Sequence, residues 1–166
     1  CSIDCAGEPQ EYVRYGLDLT LWEKNFEFLL KYKWLKLNIN QTISVLTIKT
    51  MPELLEKISK WRQQHKIEHS FSAITPQPTY LMPHILGDKT FKDDFEKIIS
   101  LMPSDSQQDK LTVSYMEGIK NQICSAEPSP VEKRKLKIFL DEKDRRRGTN
   151  WKKTFPWLIK ELNDVV

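Results

Sequence analysis

Three segments of alternating hydrophobicity, separated from one another by helical patterns, constrain this chain more than any other feature. The clearest runs over 35–45, where apolar and polar residues alternate as in Leu37-Asn38-Ile39. Another covers 67–75, and residues 1–5 form a short β-prone run. Such alternation is typical of strands with one buried face. We therefore predict three strands, the first of them over residues 1–5.

Capping patterns mark the expected beginnings of the helices. Thr20 and Glu23 have the spacing of a capping box, and so do Thr50 and Glu53, which also enclose a proline. Asp88 is expected to cap a later helix. Helical apolar spacing then continues through most of the remaining sequence, which predicts a mainly helical second half.

Two further helices are predicted near the end of the sequence. Ser129, Pro130 and Glu132 repeat the capping box with proline, and Gly148 is placed to end that helix in a left-handed cap. Phe155-Pro156-Trp157 is expected to start a last short helix. The tetrapeptide that follows the first strand, Ala6-Gly7-Glu8-Pro9, is predicted to be a turn.

The order of elements is thus β-α-β-α-β followed by helices, which gives an α/β fold class. Strands about thirty residues apart, with helices between them, pair in parallel. We predict a partial (half) parallel β/α barrel of about three strands over 1–87, followed by a helical C-terminal region over 88–166. Because a parallel sheet needs neighbours at its edges, we expect upstream sequence to supply the missing N-terminal half of the barrel.

Composition excludes several classes of protein. Of the 166 residues, 39% are hydrophobic and 30% charged, the balance of a globular domain rather than a disordered chain. No apolar stretch approaches the roughly 18 residues of a spanning helix, so we expect no membrane partner and a cytoplasmic location. Three cysteines without a CxxC pair suit neither a disulfide scaffold nor a metal framework. We interpret them as small core or interface residues.

Positive charge is concentrated near the C-terminus. Residues 131–153 contain ten Lys or Arg and four Asp or Glu, a net charge of +6 in a chain of net +3. Because the acidic residues are interleaved, a solvated helix face is the favoured interpretation. The other interpretation is a contact surface made by Arg145, Arg146 and Arg147. No aromatic-basic signature of RNA binding is present, so nucleic acid is not the expected partner.

Polar or small residues follow each predicted strand at its carboxyl end, the edge at which parallel α/β folds bind ligands. They are Ser2, Asp4, Gly7, Ser44, Thr47, Thr75 and Gln77. Loops at this edge are also polar simply because water reaches them, so position alone assigns no function. The sequence offers neither a Ser-His-Asp arrangement nor a glycine-rich phosphate loop.

Several short motifs occur in a defined order along the chain. They are Ser2-Ile3-Asp4, Glu11-Tyr12-Val13-Arg14-Tyr15, Trp22-Glu23-Lys24-Asn25, Ser44-Val45-Leu46-Thr47-Ile48, Pro78-x-Tyr80-Leu81, Phe139-Leu140-Asp141 and Asp144 to Trp151 with Thr154-Phe155-Pro156. This series resembles the C-terminal half of the radical SAM barrel, and most closely the twitch-domain radical SAM proteins. Cys5 replaces the family's glycine after Ser-Ile-Asp, and Thr47 stands where asparagine is usual.

The resemblance implies an enzyme that holds a 4Fe-4S cluster on a CxxxCxxC loop and reductively cleaves S-adenosylmethionine (SAM). The resulting 5′-deoxyadenosyl radical abstracts a hydrogen from a substrate, which the sequence does not identify and for which a peptide is one candidate. By the same resemblance, Ser2, Asp4 and Arg14 hold the ribose and carboxylate of SAM, and Ser44 and Thr47 face the same cavity. An arginine fork suits a carboxylate, and Ser and Asp suit ribose hydroxyls.

The sequence contains no CxxxCxxC motif. We therefore expect the cluster only in a full-length parent, and no activity from this chain alone, because a cluster needs thiolate ligands. One alternative is a non-catalytic binding or adaptor module that contacts nucleic acid or an acidic protein through the basic C-terminal helix. Another treats Cys1 as the acylated first residue of a lipoprotein, although a buried strand would leave the lipid no flexible tether.

Overall fold

A short parallel sheet lies at the centre of the fold. The computed structural model describes residues 1–73 and 78–163. Within them, strand β1 (Leu37–Ile43) pairs in parallel with strand β2 (Ile67–Ala73). On the other edge of β1, Ser2 forms a single parallel bridge with Asn40. The mixed α/β fold and the parallel pairing are confirmed, but the predicted first strand is reduced to this bridge.

Helices connect the strands and make up the second half of the chain. They are α1 (Gly7–Val13), α2 (Leu19–Leu29), α3 (Met51–Arg62), α4 (Lys92–Leu101), α5 (Gln107–Ile123), α6 (Pro130–Arg147), α7 (Trp151–Thr154) and α8 (Pro156–Asn163). Short 3₁₀ turns cover Ile48–Thr50, Thr79–Leu81 and Pro83–Leu86. The expected mainly helical second half is confirmed. Among the described residues, no helix combines the length and apolar character that crossing a membrane requires.

The capping hydrogen bonds of three helices differ from those predicted, although α3 begins at the expected position. The carboxylate of Asp18 accepts the amide N–H of Leu21 at 2.8 Å, so α2 starts before Thr20, which lies inside the helix. Thr50 is the N-cap of α3, but its side chain makes no capping hydrogen bond. α4 begins four residues after Asp88, so the predicted cap there is wrong. At the start of α2, Asp18 and Thr20 are both residue types that cap helices, and Asp18 is the one that does so.

The helix α6 begins and ends as predicted. The Ser129 hydroxyl accepts the amide N–H of Glu132 at 3.4 Å, and Gly148 adopts the left-handed conformation with φ of +65°. The predicted last helix is α8. The predicted turn over 6–9 is wrong, because α1 starts at Gly7. Proline is compatible with the first turn of a helix, where its missing N–H leaves no bond unmade.

The two faces of the sheet have opposite character. Residues Leu37, Ile39 and Ile43 of β1 are buried in one hydrophobic cluster that also includes residues of the C-terminal helices. The other face is polar. It carries Asn38 and Asn40, which are exposed and accept hydrogen bonds from Ser70 and Ser72 at 3.3 and 3.4 Å. Parallel sheets are usually apolar on both faces, so an open polar face needs a functional explanation.

Candidate functional site

A cavity of about 320 Å³ lies at the carboxyl end of β1. Four of the five residues expected to contact SAM line it: Asp4, Arg14, Ser44 and Thr47. Ser2 is exposed and lies outside this cavity, beside Asn40 on the polar face of the sheet. Thr75 and Gln77, the polar residues expected after the third strand, fall outside the described residues.

Asp4 and Arg14 form an ion pair on one wall of this cavity. Arg14 Nε donates to Asp4 Oδ2 at 2.7 Å, and Arg14 Nη2 donates to Asp4 Oδ1 at 3.1 Å. Asp4 Oδ1 also accepts the amide N–H of Thr42 at 2.8 Å. Asp4 is buried, whereas the side chain of Arg14 is 40% exposed. Arg14 therefore has donors left for a ligand, and Asp4 serves first to position Arg14 and β1.

Two buried glutamines fix the backbone beside Asp4. Gln10 Oε1 accepts the amide N–H groups of Asp4 and Cys5 at 2.9 and 3.0 Å. Gln41 Nε2 donates to the carbonyl of Asp4 at 2.9 Å, while Gln41 Oε1 is hydrogen-bonded to His69 Nε2. Sequence analysis missed both glutamines. For Gln41 the signal was present, because it is the one polar residue on the apolar face of β1.

The hydroxyls of Ser44 and Thr47 build the turn that follows β1. Thr47 Oγ1 accepts the amide N–H of Ser44 at 2.9 Å and donates to the carbonyl of Thr42 at 3.0 Å. Ser44 Oγ lies 3.3 Å from both Thr47 Oγ1 and the amide nitrogen of Leu46. Since Thr47 Oγ1 gives its proton to Thr42, Ser44 Oγ is the donor in the contact between the two hydroxyls. Thr47 is thus occupied by the turn, whereas Ser44, which also accepts from Leu46, keeps one lone pair that can accept a hydrogen bond from a ligand.

A larger cavity of about 660 Å³ adjoins the first one. The two share the wall residues Val13, Phe139 and Lys143. On its far side, the larger cavity is lined by Arg146 and Arg147 near the end of α6. Four of the five predicted SAM residues and two of the three predicted basic contact residues thus line adjoining cavities.

Lys143 lies between the two cavities and is only 9% exposed. Its Nζ lies 4.2 Å from the centroid of the Tyr12 ring. Burial lowers the pKa of Lys143 to about 8, and the positive charge of Arg147 acts in the same direction. Sequence analysis missed this residue, although its spacing from Leu136 and Leu140 places it on the buried stripe of α6.

The predicted basic surface does not act as one unit. Arg145 donates to both oxygens of Glu142 at 2.7 and 2.8 Å, and Arg146 donates to Glu142 Oε1 at 2.5 Å. These hydrogen bonds lower the pKa of Glu142 to about 2. The guanidinium of Arg147 instead lies 5.0 Å from the centroid of the Tyr15 ring. Two of the three arginines are therefore paired with a carboxylate of their own helix. Such pairing is what the interpretation as a solvated helix face predicts.

Asp144 explains the motif that runs from this residue to Trp151. Its Oδ1 accepts the hydroxyls of Tyr12 at 3.0 Å and Thr149 at 2.6 Å, and its Oδ2 accepts the amide N–H of Trp151 at 2.6 Å. These hydrogen bonds join the end of α6 to α1 and to the start of α7. The motif is therefore structural, and it fixes the helix that carries Lys143.

The cysteines do not fit a cluster site. Cys5 is buried, and burial raises the pKa of its thiol to about 12, which keeps it protonated at neutral pH. Cys124 is half-buried and Cys1 is exposed, so for Cys1 the interpretation as an interface residue is the one that still applies. The residues that the structure describes contain no group of three or more His, Cys, Asp or Glu able to hold a metal ion.

Comparisons with protein-family models, with curated proteins and with solved structures found no match.

Proposed function

We propose that this chain forms the SAM-binding C-terminal half of a radical SAM-type β/α barrel, in an enzyme that abstracts a hydrogen atom from its substrate. One observation carries the proposal: Asp4 and Arg14, together with Ser44 and Thr47 from a segment about thirty residues further along, line one cavity at the carboxyl end of a parallel strand. Ligands of parallel α/β sheets bind at this edge. SAM, together with a reduced cluster, would supply the radical chemistry.

The side chains of the cavity match the polar groups of SAM. The free donors of Arg14 suit the methionyl carboxylate, since guanidinium binds carboxylates in a forked geometry. The hydroxyl of Ser44 and the carboxylate of Asp4 suit the ribose hydroxyls. Ligand pockets span roughly 300–1,000 Å³, so the first cavity alone is small for SAM. With the adjoining one, the space is sufficient.

The open polar face of the sheet supports the same proposal. In a closed β/α barrel one face of each strand points to the interior and the other to the helices. Here Leu37 and Ile39 face the core, whereas Asn38 and Asn40 face solvent. We propose that this polar face lines the interior of a cytoplasmic enzyme's barrel. The proposed partner of this chain is the N-terminal half of the barrel, which would pair along residues 1–4 and carry the cluster ligands.

Direct SAM binding tests the proposal. The chain would be titrated with SAM and, separately, with 5′-methylthioadenosine, and binding followed by ligand-observed NMR. We expect Arg14→Gln to weaken SAM binding by about tenfold or more, the value of one charge-assisted hydrogen bond. Binding of 5′-methylthioadenosine, which lacks the carboxylate, should change much less. The proposal fails if SAM does not bind the unmodified chain.

The matched control is Arg62→Gln. Arg62 also forms a bidentate pair with an aspartate, Asp109, at 3.1 and 3.2 Å, but it lines neither of the two cavities. This variant removes an equivalent ion pair and should leave SAM binding unchanged. Equal losses in the two variants would mean that Arg14 acts through stability alone, and would contradict its role at the cavity.

A further inference from the structure

The ammonium group of Lys143 lacks an anionic partner. Among the described residues, its Nζ takes part in no hydrogen bond and no ion pair, and its closest recorded interaction is with the ring of Tyr12. The other buried residues of α6 are Leu136 and Leu140, which are apolar. The residue is 9% exposed and lines both cavities, so its charge lies at the wall common to the two cavities with no anion of the protein paired with it. Charged groups at the wall of a cavity are characteristic of functional sites.

The larger cavity supplies a surface for the rest of that ligand. Val13, Tyr80 and Phe139 form an apolar wall, with the rings of Tyr80 and Phe139 5.2 Å apart between centroids. Four cationic side chains and one carboxylate line the same cavity. The carboxylate, Glu142, is already bound by two arginines. The cavity is therefore apolar on one wall and positively charged overall.

We infer that Lys143 anchors the carboxylate of a bound molecule whose apolar part lies against Val13, Tyr80 and Phe139. The carboxylate has two sources: a second ligand, which would be the substrate, or the methionyl group of SAM. The position of Lys143 on the wall common to both cavities allows either. The inference names carboxylates as a ligand class for the proposed function. It rests on that function only where the carboxylate is that of SAM.

The groups around Lys143 set what an ammonium there can bind. Tyr12 of α1 contributes a ring face, Arg147 adds positive charge from α6, and Asp144 adds negative charge. Asp144 is engaged by three protein donors. On the side of the smaller cavity, Asp4 is paired with Arg14. Every nearby carboxylate thus has its own partners, which leaves Lys143 available to an external anion.

The test uses a pair of ligands that differ only in charge. The chain would be titrated with 4-phenylbutyrate and with its neutral amide, 4-phenylbutyramide, followed by calorimetry and by the ¹³Cε signal of Lys143. We expect the carboxylate to bind more tightly than the amide and to raise the titration midpoint of Lys143. In Lys143→Met, affinity for the carboxylate should fall by about tenfold to a hundredfold, while affinity for the amide should change by less than about threefold.

The control variant is Lys133→Met on the same helix. Lys133 is half-buried, pairs with Glu161 at 3.5 Å and lies outside both cavities. Lys133→Met should leave the affinities for 4-phenylbutyrate and for 4-phenylbutyramide unchanged. The unfolding free energies of the two variants show whether each chain is folded. The inference is overturned if the unmodified chain does not prefer the carboxylate, if Lys143→Met weakens both ligands equally, or if Lys133→Met has the same effect.

A SAM arm separates the two sources of the carboxylate. If Lys143→Met weakens SAM but not 5′-methylthioadenosine, Lys143 binds the methionyl carboxylate. If it weakens 4-phenylbutyrate and leaves SAM unchanged, the carboxylate belongs to a second ligand. Absence of SAM binding with retained selectivity for 4-phenylbutyrate would reject the proposed function and leave the role of Lys143 standing.

Discussion

Replacing Asp144 with alanine should destabilise the chain more than any surface charge substitution on α6. The carboxylate accepts three hydrogen bonds, from Tyr12, Thr149 and Trp151. Hydrogen bonds to charged groups contribute about 1.5–3 kcal/mol each, but Asp144 is only half-buried, so we take about 1 kcal/mol for each. The substitution should therefore lower the free energy of unfolding by about 3 kcal/mol.

Two further variants divide that loss into its parts. Asp144→Asn keeps one acceptor oxygen, so it should cost about half as much as alanine. Tyr12→Phe removes one donor and should cost about 1 kcal/mol. In the double variant Tyr12→Phe/Asp144→Ala, the tyrosine change should add almost nothing, because its partner is already absent. The coupling energy between the two sites should thus be about 1 kcal/mol.

Urea unfolding followed by tryptophan fluorescence measures these values, since Trp151 is buried next to the site. For a chain of this length, a loss of about 3 kcal/mol lowers the melting temperature by about 6–12 °C. The matched control is Asp141→Ala, which removes hydrogen bonds to Trp151 Nε1 and Lys137 but none to α1. A loss below about 1 kcal/mol for Asp144→Ala, or a coupling energy near zero, would refute the role of Asp144 as the link between α6 and α1.

Two other stability measurements test the fold. Gly87 has φ of +90°, and an added Cβ would lie 3.0 Å from Pro128 Cδ, so Gly87→Ala should cost about 1–3 kcal/mol, whereas Gly118→Ala in the open middle of α5 should stabilise the chain by about 0.5–1 kcal/mol. Burial lowers the pKa of His69 to about 4, so the unfolded chain binds that proton first as the pH falls. The contribution of His69 to the free energy of unfolding should therefore be full above pH 6.5 and fall by about 3 kcal/mol towards pH 4. His69→Gln should flatten this part of the stability profile. An unchanged slope in that variant would contradict the lowered pKa of His69.

The sheet could be predicted because its signal is local. Alternation along 35–45 identifies both the strand and the face that it buries, since every second side chain points the same way. The carboxyl ends of the strands follow from that direction, which is why Asp4, Ser44 and Thr47 lie in one cavity, whereas Arg14 was expected only from the resemblance. Ser2 lies outside this cavity because it bridges to Asn40, three residues before the end of β1.

The hydrogen bonds that hold the site could not be predicted in the same way. Gln10 belongs to a helix whose first residues were predicted to be a turn, and Gln41 bonds to a residue 37 positions away. The start of α2 depends on which of two neighbouring polar residues reaches a free amide. Such choices are decided by the packing of distant segments, and their energy differences of about 1 kcal/mol leave little trace in local sequence.

Lys143 shows how the two kinds of information combine. The sequence places a lysine on the apolar stripe of α6, which by itself indicates an aliphatic chain covering the core with its charge in water. The structure shows that the residue is 9% exposed and lies on the wall common to the two cavities, and that the carboxylates near it already have partners. Its Nζ lies over the ring of Tyr12 and not beside an anion. A charge kept at this position, on the wall common to two cavities, is better explained by a ligand than by the stability of the fold.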